Sequence, residues 1–225
     1  MTTTSPSKDR QEGDETAVRT RILDAAFAAF TKSGYAAAST LEIATHARVS
    51  KRELYALVGN KQEMLIACIS ARASRLQVPA DFPMPEDRET LAHVLASFGT
   101  LLVREITDPT VIAVFRLAIA EAVHAPEVAQ ALDSVGRETS RAALRQIMAR
   151  AQASGLLLGV PAELAEQFSG LLWGNLMVSL LLGVAKVPNS REVAARARDA
   201  TAAFLQLHPP PGYTTMPRGQ VHQPT

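Results

Sequence analysis

A chain of 225 residues with 47% apolar residues, only 5% aromatics and a net charge of +1 can build one large or two small domains, and it excludes a strongly charged field over the whole molecule. Abundant Ala and Leu, with no Asn-Gly or Asp-Gly turn between alternating apolar residues, predict an all-α fold. The charge is uneven: residues 1–77 hold 11 Lys and Arg against 8 Asp and Glu, and residues 78–225 hold 12 against 14. The cationic part is N-terminal, as nucleic-acid binding there requires.

Residues 1–15 are polar and aperiodic, so a disordered arm is expected, and they contain no apolar segment to serve as a signal peptide. From residue 17 to 33, Val18, Ile22, Leu23, Ala26, Phe27 and Phe30 recur at helical spacing, and Gly34 closes the helix. Then come three capping patterns within 22 residues: Ser39 with Glu42, Ser50 with Glu53, and Asn60 with Glu63. In each, a short polar side chain accepts an N–H at a helix start while the carboxylate returns to the cap. The result is two short helices joined by a tight turn, then a third helix.

On a helical wheel the second short helix puts Lys51, Arg52, Tyr55 and Ala56 on one arc and Leu54 and Leu57 on the other. So short a helix needs its apolar face packed against neighbours, which turns the cationic face outward. Cations neutralise phosphates and hydrogen-bond guanine edges, a phenol reaches a phosphate, and an alanine touches a thymine methyl. This face suits a DNA groove.

Residues 39–61 resemble the helix-turn-helix signature of the TetR family of transcriptional regulators, through Ile43-Ala44, Ala47, Val49-Ser50, Leu54-Tyr55 and Lys61. Two positions depart from the pattern. Arg48 stands where a turn glycine is usual, and Val58 where an aromatic is. The resemblance implies an N-terminal three-helix DNA-binding domain over residues 16–62, a helical regulatory and dimerisation domain over 63–207 of AefR-like form, and a loose tail over 208–225. It also implies base-edge contacts from Lys51 and Arg52, phosphate contacts from Ser39, Thr40, Tyr55 and Lys61, and further contributions from Ser50 and Arg48.

In the second half, the three prolines of residues 78–87 mark a boundary. Helices are expected over 88–106, from Pro109 to about Val123, from Pro126 to about Ser154, from Pro161 to about Ala185, and from Asn189 to about Leu207. Residues 168–185 run 18 residues without a charge but hold Ser169, Gly170, Gly174, Asn175 and Ser179, which fits a buried helix at an oligomer interface rather than a membrane span. The expected homodimer contacts are Leu171, Val178, Leu182, Ala195 and Phe204, since two recognition helices must be held about one DNA turn apart. Candidate pocket residues for a small-molecule effector are Phe98, Leu102, Phe115, Ile119, Trp173 and Met177.

No triad, metal-ligand spacing or phosphate-binding glycine loop is present, so neither an enzyme nor a cofactor is expected. The single cysteine, Cys68, lies beside Leu65, Ile66 and Ile69 and reads as a core residue; with no disulfide possible within the chain, it fits a reducing cytoplasm. A helical protein-binding adaptor is the alternative, but it leaves the Lys51-Arg52-Tyr55 face without a use.

Overall fold

Helical periodicity in the N-terminal third becomes four helices packed on one another. The computed structural model describes residues 6–76 and 85–210, and every regular element among them is helical. Helix α1 (Pro6–Ser33) lays Ile22, Ala26 and Phe30, one turn apart and each fully buried, against α2 (Thr40–Ala47), α3 (Lys51–Val58) and α4 (Lys61–Ala73). The arm expected over residues 1–15 is corrected in part: residues 6–15 are helical. Proline at the first helical position and the helix formers Lys8, Arg10, Gln11, Glu12 and Glu15 favour this extension of α1, against Gly13 and the aspartates at 9 and 14. Residues 1–5 lie outside the described residues, as does the tail from 211 onward.

After a short 3₁₀ turn (Ser74–Leu76) and the proline segment, whose residues 77–84 are likewise outside the described residues, the second half begins at α5 (Arg88–Ile106). Asp87 caps it: its carboxylate accepts the Thr90 N–H at 2.7 Å, and the Thr90 hydroxyl accepts the Asp87 N–H at 3.0 Å. Then follow α6 (Pro109–Glu121), α7 (Pro126–Ala131), a π-helical turn (Leu132–Arg137) and α8 (Glu138–Ala153). The single helix expected over residues 126–154 is thus widened near its start. There Gly136 lets the π turn close on α4, since a Cβ in its place would meet Ile69 Cγ2 at 3.3 Å and Leu132 Cδ1 at 3.1 Å.

The helix expected over residues 161–185 is also interrupted, giving α9 (Pro161–Trp173) and α10 (Leu176–Leu181). Gly174, at φ 46° and ψ −125°, occupies backbone space open to glycine and almost closed to other residues, and it ends α9. Helix α11 (Ser190–Leu207) starts from Asn189, whose amide oxygen accepts from Arg191 and Glu192 N–H groups while Glu192 returns to the Asn189 N–H at 2.8 Å.

Two cores result, and the boundary between them is not the one expected at residue 62. Met64, Leu65, Cys68 and Ile69 of α4 belong with α1–α3, and so do Val114, Leu117 and Ala118 of α6 and Val128 of α7. The second core gathers α5, α8, α9 and α11 around Phe98, Leu144, Phe168 and Phe204. Phe204, expected at the dimer surface, is fully buried. It shares a face of α11 with Val193, Ala197 and Ala200, and meets Phe168 edge-on with ring centroids 5.6 Å apart.

Phe204→Ala is therefore expected to cost about 3–5 kcal/mol in urea denaturation, the range for truncating a core aromatic. An interface residue would instead show its loss as a protomer-concentration dependence of the melting temperature.

Candidate DNA interface and regulatory cavity

The outward face of α3 is set by what its inward face buries. Leu54 is 0% exposed and Val58 6%, and they pin the helix to α1 and α4 so that Lys51, Arg52, Tyr55 and Ala56 point to solvent. Ser50 caps α3, its hydroxyl accepting the Glu53 N–H at 3.1 Å, and Ser39 caps α2 through the Leu41 N–H at 3.3 Å. In these two helices the cap is one-way; of the three N-terminal patterns only the one at Asn60 is reciprocal, the Asn60 N–H donating to Glu63 Oε2 at 2.7 Å. The Thr40 and Tyr55 hydroxyls are 3.2 Å apart, and Lys51 Nζ lies 5.8 Å from the Tyr55 ring centroid. One contiguous polar surface thus runs from the start of α2 across the exposed face of α3.

Arg48 ends α2 in the left-handed conformation, φ 55° and ψ 47°, the one non-glycine residue at positive φ among the described residues. Its N–H satisfies the Ala44 and Thr45 carbonyls, so the turn keeps the shape a glycine would give. The strain costs on the order of 1 kcal/mol and leaves an exposed guanidinium beside the recognition helix.

Lys61, expected on a phosphate, makes contacts within the chain. Its Nζ donates to the Ala36 carbonyl at 3.0 Å and lies 4.9 Å from the centroid of the buried Tyr35 ring. Burial lowers its pKa, against which the Glu121 carboxylate raises it. Lys61 therefore fastens the α1–α2 loop.

Between the two cores lies a cavity of about 340 Å³. Its walls are Thr20 and Asp24 of α1, Ile69 and Ala73 of α4, Val111, Val114 and Phe115 of α6, and Leu132, Gly136 and Arg137 of the π turn. Of the six pocket residues expected from sequence, only Phe115 lines it. Phe98 and Leu102 are core residues at 2% and 3% exposure, and Trp173 and Met177 pack on the second core from outside. Ile119, one helical turn beyond Phe115, has passed the cavity and is 61% exposed. Sequence periodicity reported which residues are apolar, but not which apolar faces meet across a gap. Gly136 inside an amphipathic helix was the one local signal of a close approach.

Of the expected dimer residues, Leu171, Val178 and Leu182 are exposed at 36%, 59% and 71%. Leu171 and Ala195 line a groove of about 640 Å³ between α9 and α11. Among the described residues no helix is long and apolar enough to cross a membrane.

Family models agree with this geometry. Residues 22–68 match the bacterial regulatory proteins of the tetR family, and residues 93–208 match the C-terminal domain of AefR-like transcriptional repressors. The chain belongs to the TetR family. This TetR-family chain is a DNA-binding transcriptional regulator. It superposes with a TM-score of 0.72 on a TetR transcriptional regulator from Agrobacterium tumefaciens, at 28% identity over 86% of this chain and 95% of that one. The flavonoid-responsive regulator FrrA gives 0.71 at 26% identity, covering 88% and 100%. A TetR-family transcriptional regulator from Pseudomonas syringae gives 0.63 at 26% identity, covering 85% and 96%. Among curated proteins none matches the sequence.

Two substitutions separate the roles at the interface. Arg48→Gly is expected to raise stability by at most about 0.5 kcal/mol, the strain relieved less the added unfolded-state entropy, and to weaken DNA binding; the urea midpoint and a binding titration check both. Lys61→Ala is expected to lower the melting temperature while leaving the salt slope of DNA binding unchanged, whereas a slope flatter by about one unit would return Lys61 to the DNA backbone.

Proposed function

We propose that this regulator binds a pseudo-palindromic operator in double-stranded DNA as a homodimer, represses transcription there, and releases the operator when a small molecule fills the junction cavity. The observation that carries the reading is the exposed Lys51-Arg52-Tyr55 face of α3, held outward by Leu54 and Val58 next to the start of α2. Lys51 and Arg52 read base edges. Ser39, Thr40, Tyr55 and Arg48 contact phosphates, Ser39 and Thr40 with the partial positive charge of the α2 N-terminus behind them.

Dimerisation covers the exposed apolar side chains of Leu171, Val178, Leu182 and Val184, and seats part of a second copy in the groove lined by Leu171 and Ala195. The two-fold axis then spaces the recognition helices for two half-sites. Light scattering at micromolar concentration is the check, and a monomeric mass counts against it.

The effector class follows from the cavity. Its walls are mostly apolar, from Ile69, Leu76, Ile106, Val111, Val114, Phe115 and Leu132, with oxygen acceptors from Thr20, Asp24, Glu105, Asp108 and Thr110 and the guanidinium of Arg137 among them. An apolar ring system carrying hydroxyl donors fits both features, and a cavity of about 340 Å³ has room for one of modest size. FrrA is flavonoid-responsive, which makes phenolic compounds of that kind the first to screen. The reading gives the chain no catalytic step and no cofactor, and places its work in the cytoplasm, where the DNA is.

Fluorescence anisotropy on DNA from upstream of its own gene, against scrambled DNA at two salt concentrations, tests the central claim. Sequence-specific binding with a steep salt slope is expected, and Arg52→Ala should bring specific affinity toward nonspecific affinity by about 1–3 kcal/mol. Wild-type discrimination in both Arg52→Ala and Lys51→Ala would mean that α3 does not read the bases.

A further inference from the structure

Helix α6 belongs to two places at once. Thr110, Val111, Val114 and Phe115 in its first half wall the cavity, while Glu121 at its last position reaches the loop between α1 and α2. Glu121 Oε1 accepts the Ala36 N–H at 3.3 Å and lies 3.1 Å from where a Cβ on Gly34 would sit. Gly34, at φ 84°, is also in a backbone region that favours glycine, so the loop both turns and admits the carboxylate because that residue has no side chain. The Ala36 carbonyl in turn accepts from Lys61 Nζ at 3.0 Å, at the first residue of α4. One residue of the loop feeding α2 is thus gripped at its N–H by the regulatory half and at its C=O by the DNA-binding half.

Between the cavity and this grip, Arg116 donates from Nε to the Leu181 carbonyl at 3.1 Å and from its terminal nitrogen to the Leu180 carbonyl at 2.8 Å, tying the middle of α6 to the end of α10. From Val114 to Glu121 a helix extends about 10 Å at 1.5 Å per residue, and it moves as a stiff rod. A ligand that displaces the first half about the Arg116 tie therefore shifts Glu121 relative to Ala36. An exposed hydrogen bond of this length contributes little to stability. What it sets is position, because the loop it holds leads directly into Ser39 and α2.

We propose that the clasp of Glu121 and Lys61 on Ala36 is the contact through which filling of the cavity resets the helix-turn-helix, with Glu121 as the positioning residue. The inference rests on the cavity being the effector site. A ligand changes operator affinity only through a differential contact between two states, and this clasp supplies one that is made in the empty form and broken in the filled form.

A double-mutant cycle tests this without a known effector. Val111→Phe fills the cavity from α6, and Ala71→Phe fills it from the exposed rim on α4 where a larger side chain is tolerated. Operator affinity, on the site that the wild-type protein selects from random DNA, is measured for each filler alone, for Glu121→Ala, and for each pair, in variants that retain wild-type helicity and a cooperative melt. Each filler is expected to weaken operator binding about tenfold with Glu121 present and less than about threefold with Glu121→Ala, since the coupled contact is already gone. Equal weakening in both backgrounds overturns the clasp and leaves the cavity as the effector site. Folded fillers that leave operator binding unchanged in the wild-type background overturn the effector reading of the cavity, and the clasp with it.

Discussion

The structure depends on a core that does not respect the division between its two halves. Ile22, Ala26 and Phe30 of α1 and Leu65, Cys68 and Ile69 of α4 share one apolar cluster with Val114, Leu117 and Ala118 of α6 and Val128 of α7. At roughly 25 cal/mol per Å² of apolar surface removed from water, that shared burial is the main attraction holding the DNA-binding helices to the regulatory ones. Because packed cores resist continuous deformation, a shift of α6 must be taken up by α1 and α4 or by a discrete rearrangement. The recognition helix inherits that constraint through Leu54 and Val58.

Short helices such as α2 and α3, each 8 residues, are unstable in isolation and exist here because their buried sides complete that core. Caps define their ends and packing defines their direction. The strained Arg48 backbone follows from the same packing: the tight turn between two packed helices is maintained even at a residue that resists it. Stability is given up where the exposed surface needs a fixed shape.

The cavity sits where that shared core is incomplete. The π turn Leu132–Arg137 brings Gly136 against Ile69, while Phe115, Val111 and Val114 stop short of closing the remaining space. An apolar recess left unfilled forfeits dispersion contacts, and an apolar ligand would restore them. With α1 and α4 contributing walls directly, an occupant would touch helices of the DNA-binding part themselves.

Local chemistry carried far in this chain. The capping residues Ser39, Ser50, Asn60 and Asn189, the prolines 109, 126 and 161 at helix starts, and the division of α3 into an apolar side at Leu54 and a polar side at Lys51, Arg52 and Tyr55 all follow from local spacing, which a linear pattern records; that Val58 rather than Leu57 completes the buried side came from packing. The tertiary structure decided the rest. That Phe204 packs on Phe168, that Lys61 reaches the Ala36 carbonyl, and that Val114 rather than Ile119 faces the gap depend on residues far away in sequence. The breaks at Gly174 and at residues 132–137 belong with these, since glycine permits a turn or a close approach but only the packing of neighbouring helices calls for one. Periodicity states that a face is apolar; the partner that covers it, or the space left uncovered, depends on how the helices cross, and no local interaction encodes that.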